Sequence, residues 1–432
     1  MAIFAPQKNR KAPELTTMVT IIPFKALRPE TQYAKQVASK PYDVLSSKEA
    51  KVEAQGNPNS FLHVTKSEID LPASTDPYSQ KVYDKAKENL DAFLSRNILF
   101  KESKACYYIY KLEMPAMKRG GKSHSQTGLV CCSSIDDYEN DLIKKHEYTR
   151  EEKEQDRINH IKATGAQTGN VFLSYKTEKK IDDLIGLWMN DRSPVYDFVS
   201  DDNVQHTIWI INDQEAINKI SKLFKTKVAC TYIADGHHRA ASAAKARIYF
   251  GGNSENANYF LTTLFPSNQV RILEYNRVVK DLNGLSDEEF LLRVSENFSL
   301  EKCGEPVMPG ERHTFGMYLN KQWYRLGAYS QTNNTDTVSN LDISILQNNL
   351  LAPVLGIQDQ RTDKRIDFVG GIRGLAELEK KVDSKEMAVA FSLYPVDIDD
   401  LFSIADSGNV MPPKSTWFEP KLRDGLLTHV LD

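Results

Sequence analysis

The sequence has little of what marks secreted, membrane-spanning or zinc-binding proteins. It contains five cysteines in 432 residues, without a CxxC spacing, which favours reduced thiols over a disulfide framework or a zinc site. No apolar stretch is long enough to span a bilayer, and residues 1–11 carry charge without the apolar run of a signal peptide. We therefore expect a cytoplasmic protein that has no membrane partner.

The sequence also lacks an excess of either charge. Lys and Arg total 55 against 58 Asp and Glu, so the formal net charge of -3 gives no general attraction to nucleic acid or to anionic membrane. Any basic site must therefore be local. The hydrophobic share of 41% and the charged share of 26% are typical of globular proteins, and the length favours two domains.

Strand-like and helical patterns alternate along the chain, which predicts a mixed α/β fold. Residues 1–17 are polar and aperiodic, so we predict a flexible leader there. A core at 18–265 is followed by a C-terminal α/β domain at 266–432, in which Ser286 and Glu289 form a capping box. The main predicted elements are helices at 76–97, 136–162 and 240–250, strands at 105–112, 127–135, 170–175, 206–211, 229–234 and 259–265, and turns at Gly120-Gly121 and Asn320-Lys321.

The segment from Asp235 to Arg239 carries the clearest functional signal. A β-prone run leads into it, Gly236 permits a sharp turn, and a helix is predicted to begin near His238. The first amides of such a helix are unpaired donors with a partial positive charge, so they form an anion site. Arg239 adds a guanidinium suited to phosphate. His237 and His238 either donate to phosphate, hold the loop through Asp235 or exchange protons near neutral pH.

A purely structural account of the same segment stays open. In that account Asp235 caps the helix, Gly236 makes the turn and the basic residues face water. A metal site is the weaker alternative, because adjacent histidines at a helix start point in different directions and no other Cys or His has a zinc-like spacing. We therefore predict no metal ligands.

The charged segment that begins near His146 is the second candidate. It resembles the start of a zinc-protease signature, but Arg150 stands where the second histidine ligand is required. Glu147 and Asp156 are candidates for ion pairing, general base catalysis or metal binding. A solvated helix with internal ion pairs is the alternative. If the segment is helical, one face carries a row of donors suited to phosphates: His146, Arg150, Lys153, Arg157 and His160.

Several stretches together resemble the family called domain of unknown function 1015 over nearly the whole chain. The name of that family implies no activity. The supporting stretches are PFKALRP at 23–29, KPYDV at 40–44, NPNSFL at 57–62, KKHEYTR at 144–150, DRINH at 156–160, AQTG at 166–169 and ADGHHRAA at 234–241.

An Asp-Gly-His-His-Arg loop that opens a helix also resembles the ParB and sulfiredoxin superfamily, which includes free-serine kinases. The resemblance implies a ParB/sulfiredoxin-like core in which residues 66–225 form a large insertion. It also implies that the loop binds nucleotide phosphates and that a glutamate after a Lys-Pro pair near the N-terminus is catalytic. Glu30 corresponds to that glutamate, but it falls one position earlier than in the kinases, where this chain has Thr31.

Three functions follow as hypotheses. The leading one is a kinase that transfers phosphate from ADP or ATP, with Mg²⁺, to a hydroxyl of a small metabolite such as serine. Residues 236–239 would hold phosphates, Arg150 and Arg157 would neutralise charge, and the proton acceptor would be Glu30, Glu147 or Asp235. The second is a non-catalytic nucleotide- or metabolite-sensing protein. The third, ParB-like DNA binding or nuclease activity, is disfavoured by the net charge, and the sequence leaves the oligomeric state open.

Overall fold

The structure is a computed structural model that describes residues 18–116, 123–251, 254–329 and 336–431. The predicted leader at 1–17 and the Gly120-Gly121 turn lie outside these residues. Within the described ranges, no helix is long and apolar enough to cross a membrane. The described residues form 21 strands and 13 α-helices.

The strands are β1 (Ile21–Ile22), β2 (Leu27–Pro29), β3 (Leu99–Lys101), β4 (Tyr107–Met114), β5 (His124–Ser134), β6 (Ile143–Lys144), β7 (Ala166–Gln167), β8 (Val171–Tyr175), β9 (Tyr196–Val199), β10 (Gln205–Ile211), β11 (Thr231–Asp235), β12 (Tyr259–Pro266), β13 (Ile272–Leu273), β14 (Tyr275–Val279), β15 (Phe298–Cys303), β16 (Thr314–Leu319), β17 (Gln322–Ala328), β18 (Ile366–Gly370), β19 (Val389–Ser392), β20 (Trp417–Phe418) and β21 (His429–Val430). The helices are α1 (Ala34–Val37), α2 (Ser47–Glu53), α3 (Leu62–Thr65), α4 (Gln80–Ser95), α5 (Ile135–Glu139), α6 (Glu151–Thr164), α7 (Lys179–Asn190), α8 (Gln214–Lys227), α9 (His237–Phe250), α10 (Asp287–Ser295), α11 (Asp342–Leu346), α12 (Leu375–Asp383) and α13 (Ile398–Asp406).

The larger sheet has nine strands, and most of its pairings are antiparallel. Eight strands follow the order β6-β11-β8-β12-β5-β4-β10-β9, and β1 pairs with β5 outside that path. β4 and β5 form the predicted hairpin, with Tyr108 opposite Val130. β4, β5, β8 and β10 fall within residues 66–225, so the predicted insertion supplies part of this sheet. β11, which leads into the Asp235 loop, lies between β6 and β8.

Alternate residues of β4 and β5 face two different apolar cores, as the two-residue period of a strand requires. Tyr107 and Cys131 belong to the core beneath α7 and α8, whereas Tyr108 and Cys132 belong to the core shared with the C-terminal half. Both thiols are 0% exposed, and all five cysteines are free. Cys131 and Cys132 are therefore buried strand residues on opposite faces of the sheet.

The smaller sheet has six strands in the order β15-β17-β16-β19-β14-β18, all paired antiparallel. The predicted turn at Asn320-Lys321 joins β16 to β17, with φ values of 45° and 63°. The predicted capping box of Ser286 and Glu289 opens α10. Together with the larger sheet, this layer confirms the mixed α/β class. The ParB/sulfiredoxin-like core and the boundary at 265/266 stay predictions.

The last described residues return to the first half of the chain. β21 pairs with β7, and the backbones of Ser39 and Asp424 bond to each other in both directions, whereas β20 pairs with β13 of the second half. This return places residues 414–424 against the loop between β11 and α9.

The prediction of helical character across 136–162 is wrong in its middle. α5 ends at Glu139, and residues 143–144 form β6, which pairs in parallel with β11. That pairing keeps the backbone extended, and α6 begins only at Glu151, with Arg150 as its N-cap. His146 and Arg150 therefore do not share a helical face with Lys153.

Candidate functional site

A cleft of about 610 Å³ lies where residues of the two sheets meet. Its walls come from the loop at 234–238, from parts of 147–160, from 42–47 and from the C-terminal segments 367–370 and 414–418. Both segments that stand out in the sequence therefore contribute to one cleft, and residues far apart in the chain complete it.

The loop between β11 and α9 turns at Gly236, whose φ of 100° favours glycine. Gly236 is the N-cap of α9, and no side chain caps the first turn of this 14-residue helix. The alternative in which Asp235 caps the helix is therefore wrong. Gly236, His237 and His238 line the cleft, so the amide end of α9 faces it, and anion binding by these residues stays a prediction.

Asp235 forms an ion pair with Lys421, whose Nζ lies 2.9 Å from Oδ2 of Asp235. Nη2 of Arg239 lies 3.7 Å from the other carboxylate oxygen. Burial acts to raise the pKa of Asp235, but the charges of Lys421 and Arg239 outweigh it and hold the pKa well below its usual range. Because a carboxylate with so low a pKa accepts a proton poorly, the geometry does not favour Asp235 as a base.

The guanidinium of Arg239 lies behind the loop. Its Nη2 is 3.1 Å from Oδ2 of Asp43, and its Nη1 donates to the backbone carbonyl of Asn170. Arg239 is only 8% exposed and does not line the cleft. A Cβ at position 236 would lie 3.2 Å from Cζ of Arg239, so Gly236 also permits this close packing. Arg239 supports the loop from behind, and phosphate binding by its side chain stays a prediction.

The backbone of the 146–150 segment fixes both histidines of the loop. Nε2 of His237 accepts from the amide of His146 at 3.4 Å, and Nε2 of His238 accepts from the amide of Arg150 at 3.0 Å. Each accepting nitrogen is unprotonated, so the ring proton lies on Nδ1. Burial lowers the pKa of both imidazoles, and the charge of Arg150 lowers that of His238 further. Both rings are therefore neutral at pH 7.

Glu147 is a carboxylate that faces the cleft and reaches solvent, with 40% of its side chain exposed. Its Oε2 lies 3.9 Å from Nδ1 of His237, the nitrogen that carries the ring proton. Burial raises the pKa of Glu147, while the charge of Lys414 opposes this effect and that of Asp235 adds to it. Among the carboxylates predicted as bases, Glu147 therefore has the best combination of position and basicity.

α6 brings Arg157 and His160 to the cleft, and both already have protein partners. Arg157 donates to Oδ2 of Asp156 at 3.0 and 2.8 Å and lies 4.0 Å from the ring centroid of Tyr42. Nε2 of His160 is 3.0 Å from the carbonyl oxygen of Val64, and burial lowers the pKa of His160 to about 4. His160 is therefore neutral at pH 7, whereas the guanidinium of Arg157 is a positive charge at the cleft wall.

Three cationic side chains line the cleft without a carboxylate within 4 Å among the described residues: Arg150, Lys153 and Lys414. Nζ of Lys153 is 2.6 Å from the hydroxyl of Tyr78. The whole lining has eight basic side chains, Lys66, Arg150, Lys153, Arg157, Arg373, Lys381, Lys414 and Lys421, and six acidic ones, Asp43, Glu68, Glu147, Asp156, Asp235 and Asp367. The cleft is thus a locally basic site in a chain whose net charge is negative.

Besides Arg239, two predicted site residues do not line the cleft. His146 is 2% exposed and meets His237 edge to face, with ring centroids 4.5 Å apart. Glu30 is exposed next to β2, and its backbone amide donates to Ile98. Sequence reasoning missed Lys414, Lys421 and Asp43; the KPYDV stretch at 40–44 was a signal for Asp43, whereas no local pattern indicates the two lysines.

Among the residues that the structure describes, no group of three or more His, Cys, Asp or Glu is arranged to hold a metal ion. A resident metal therefore has no prepared ligand set in that part of the chain. An Mg²⁺ ion that arrives with a nucleotide needs only one or two carboxylates, and both Asp43 and Glu147 line the cleft.

The family DUF1015, described as a protein of unknown function, matches residues 21–344. No curated protein is significantly similar to the chain. Similar solved structures include a free serine kinase mutant in complex with AMP, with a TM-score of 0.36, 11% identity and coverage of 72% of this chain and 94% of that chain.

A conserved hypothetical protein from Pyrococcus furiosus has a TM-score of 0.35 and 13% identity, over 69% of this chain and 93% of that one. SbnI with a C-terminal truncation, from Staphylococcus aureus, has a TM-score of 0.37 and 10% identity, over 69% and 86% respectively. At these TM-scores the structural likenesses carry no conclusion about function.

Proposed function

Because the chain belongs to DUF1015, a family described as a protein of unknown function, we propose a function from the chemistry of its cleft. The cleft binds the phosphates of a nucleotide, and the protein acts as a small-molecule kinase. The acceptor is a hydroxyl such as that of free serine, as the resemblance to the free-serine kinases implies.

The observation that carries this proposal is the set of unpaired cations beside an open helix N-terminus. Arg150, Lys153 and Lys414 line the cleft without a carboxylate partner among the described residues, and the first turn of α9 has no side-chain cap. Arg150 and Lys414 are exposed and Lys153 is half-buried, so all three are accessible to a multivalent anion that enters the cleft. A chain of phosphates satisfies several cations and amides at once, which a single carboxylate does not.

Phosphoryl transfer in this cleft would use each group as follows. The acceptor hydroxyl loses its proton to Glu147, its oxygen forms a bond to the terminal phosphorus, and the bridging P–O bond breaks to release ADP from ATP or AMP from ADP. Arg150 and Lys414 neutralise the charge that develops on the transferred group. Nδ1 of His237 lies 3.9 Å from Oε2 of Glu147, so the ring N–H would favour the ionised carboxylate electrostatically without a hydrogen bond.

Asp43 and Glu147 would hold an Mg²⁺ ion that arrives with the nucleotide, and the ion would reduce the repulsion between the phosphates. Asp43 already pairs with Arg239, which holds its carboxylate in a fixed position. These residues suit a metal that is bound mainly by the nucleotide.

A nucleotide- or metabolite-sensing protein without catalysis is the second candidate. One observation favours it: Glu30, the residue that the resemblance implies as catalytic, is exposed and does not line the cleft. DNA binding or nuclease activity stays a prediction.

The test is calorimetric titration with ADP and ATP in the presence of Mg²⁺, followed by an assay for phosphoserine. Arg150→Gln should weaken nucleotide binding at least 10-fold, because a charge-assisted hydrogen bond contributes about 1.5–3 kcal/mol. The matched control is Arg325→Gln, which removes the same charge from an exposed pair with Glu301 outside the cleft. Binding with phosphoserine formation supports the kinase, binding without product supports the sensor, and absence of binding contradicts both.

A further inference from the structure

Three aromatic side chains form one wall of the cleft. Tyr275, Phe368 and Trp417 are half-buried and line it, and we call them the aromatic wall. All three come from the C-terminal part of the chain, on β14, β18 and β20. These rings expose apolar carbon in a cleft that also has fourteen charged side chains. Such surface is unexpected in a site that binds only phosphate, because phosphate gains nothing from contact with apolar groups.

The aromatic wall is held rigidly by its own contacts. Nε1 of Trp417 donates to Oε1 of Glu419 at 2.8 Å, and the indole meets the ring of Tyr275 edge to face, with centroids 5.2 Å apart. Tyr275 meets Phe368 in the same manner at 6.1 Å. A Cβ at position 370 would lie 2.6 Å from the indole, so Gly370 allows Trp417 to lie against the backbone of β18. Such preorganised rings lose little entropy when a ligand packs on them.

Two lysines lie beside the aromatic wall, and one of them also contacts residues 234–238, which we call the phosphate loop. Nζ of Lys421 lies 4.8 Å from the ring centroid of Trp417 and 2.9 Å from the carboxylate of Asp235. Nζ of Lys414 lies 5.5 Å from the ring centroid of Tyr275. Aromatic surface and cationic groups are therefore neighbours, and one ligand of moderate length contacts both.

We infer that the aromatic wall is a nucleobase subsite, so that the ligand of the cleft is a nucleoside di- or triphosphate. Every nucleobase offers a planar apolar face that aromatic side chains recognise, while its phosphates reach the cations. The cleft volume of about 610 Å³ lies within the usual range for ligands of this size and far exceeds that of a phosphate ion. The inference rests on the proposed function, and it adds that the C-terminal part of the chain selects the ligand.

The test compares ADP with pyrophosphate and ribose 5-phosphate by calorimetry, with Mg²⁺ present. If the base is bound, ADP should bind roughly 10-fold or more tightly than pyrophosphate, since stacking on an aromatic side chain is worth about 1–3 kcal/mol. ADP should also change the tryptophan fluorescence, because Trp417 lines the cleft and Trp188, Trp209 and Trp323 are buried.

Variants separate the base from the phosphates. Trp417→Leu and Tyr275→Leu should each reduce the preference for ADP over pyrophosphate at least 5-fold, while pyrophosphate binding changes less than 2-fold. Trp417→Phe keeps an aromatic ring and should retain most of the preference for ADP over pyrophosphate. This variant separates the loss of the ring from a general effect of substitution at position 417 on folding. Tyr249→Leu is the matched control, because Tyr249 is 56% exposed and lies outside the cleft.

The outcomes distinguish this inference from the proposed function. If ADP and pyrophosphate bind with equal affinity, or if the preference survives both leucine substitutions, the nucleobase subsite is refuted and phosphate binding stands. If no phosphate compound binds, the proposed function fails and the nucleobase subsite fails with it.

Discussion

Asp424 allows a quantitative test of the electrostatics behind the phosphate loop. It is 2% exposed, and neither carboxylate oxygen has a well-formed hydrogen bond to the described residues, although the backbone of Tyr42 interacts with it weakly. Burial raises the pKa of Asp424 from an ordinary 3.8 to about 7, against the opposing charge of Arg239, and the charge of Asp43 adds to the increase. Folding therefore favours the protonated carboxyl.

The sign of the pH dependence follows from this shift. Because the pKa is higher in the folded state than in the unfolded state, Asp424 favours folding most below pH 4, and that contribution is lost as the pH rises through 7. The increase of the Asp424 pKa from 3.8 to about 7 corresponds to about 4 kcal/mol in the free energy of unfolding. Asp424→Asn has no proton to lose, so it should escape this loss. The free energy of unfolding of the variant minus that of the unsubstituted protein should therefore increase by up to this amount between pH 4 and pH 8.5.

The assay is urea denaturation of both proteins between pH 4 and pH 9. The difference in the free energy of unfolding should rise from pH 4 to pH 7 and level off above pH 8. A difference that does not vary with pH, or that falls, would refute the reasoning. Asp202→Asn is the control with the opposite sign: despite burial, Arg423 lowers the pKa of Asp202 to about 2, so this variant should lose stability at neutral pH.

Arg239→Met should lower the free energy of unfolding by about 1–3 kcal/mol, because it removes the partner of Asp43 and the donor to the buried carbonyl of Asn170; an unchanged stability in urea denaturation would contradict its supporting role. Glu147→Gln should abolish phosphoserine formation while ADP still binds in calorimetry, and turnover of the unsubstituted enzyme should fall as the pH drops through the raised pKa of Glu147. Gly236→Ala should cost about 1–2 kcal/mol in thermal denaturation because of its φ of 100°; an unchanged midpoint would show that the loop relaxes.

The parts of the fold that local patterns determine could be predicted from the sequence. The hairpin of β4 and β5, the turn at Asn320-Lys321 and the capping box at Ser286 depend on residues close together in the chain. The start of α6 could not be predicted, because the two residues of β6 are held extended by β11, almost 90 positions later. The charges and the residue spacing over 144–150 do not indicate that β6 pairs with β11.

The candidate site shows the same division. The turn at Gly236 and the helix after it follow from local sequence, and so does the exposed amide end of α9. The direction of the Arg239 side chain does not follow from local sequence, because it depends on Asp43, which lies 196 positions away. The ion pair of Asp235 with Lys421 likewise joins residues 186 positions apart, so no pattern near Asp235 indicates that its pKa is low.

The return of residues 414–424 to the loop between β11 and α9 also bears on the order in which the molecule becomes functional during synthesis. When Asp235 leaves the ribosome, the lysine that balances its charge still has to be translated, together with the aromatic ring nearest to that lysine. Contacts of such long sequence separation form late in folding. A nascent chain that has completed the larger sheet therefore has the loop between β11 and α9 but only part of the cleft, and the cleft is complete once the final segment docks.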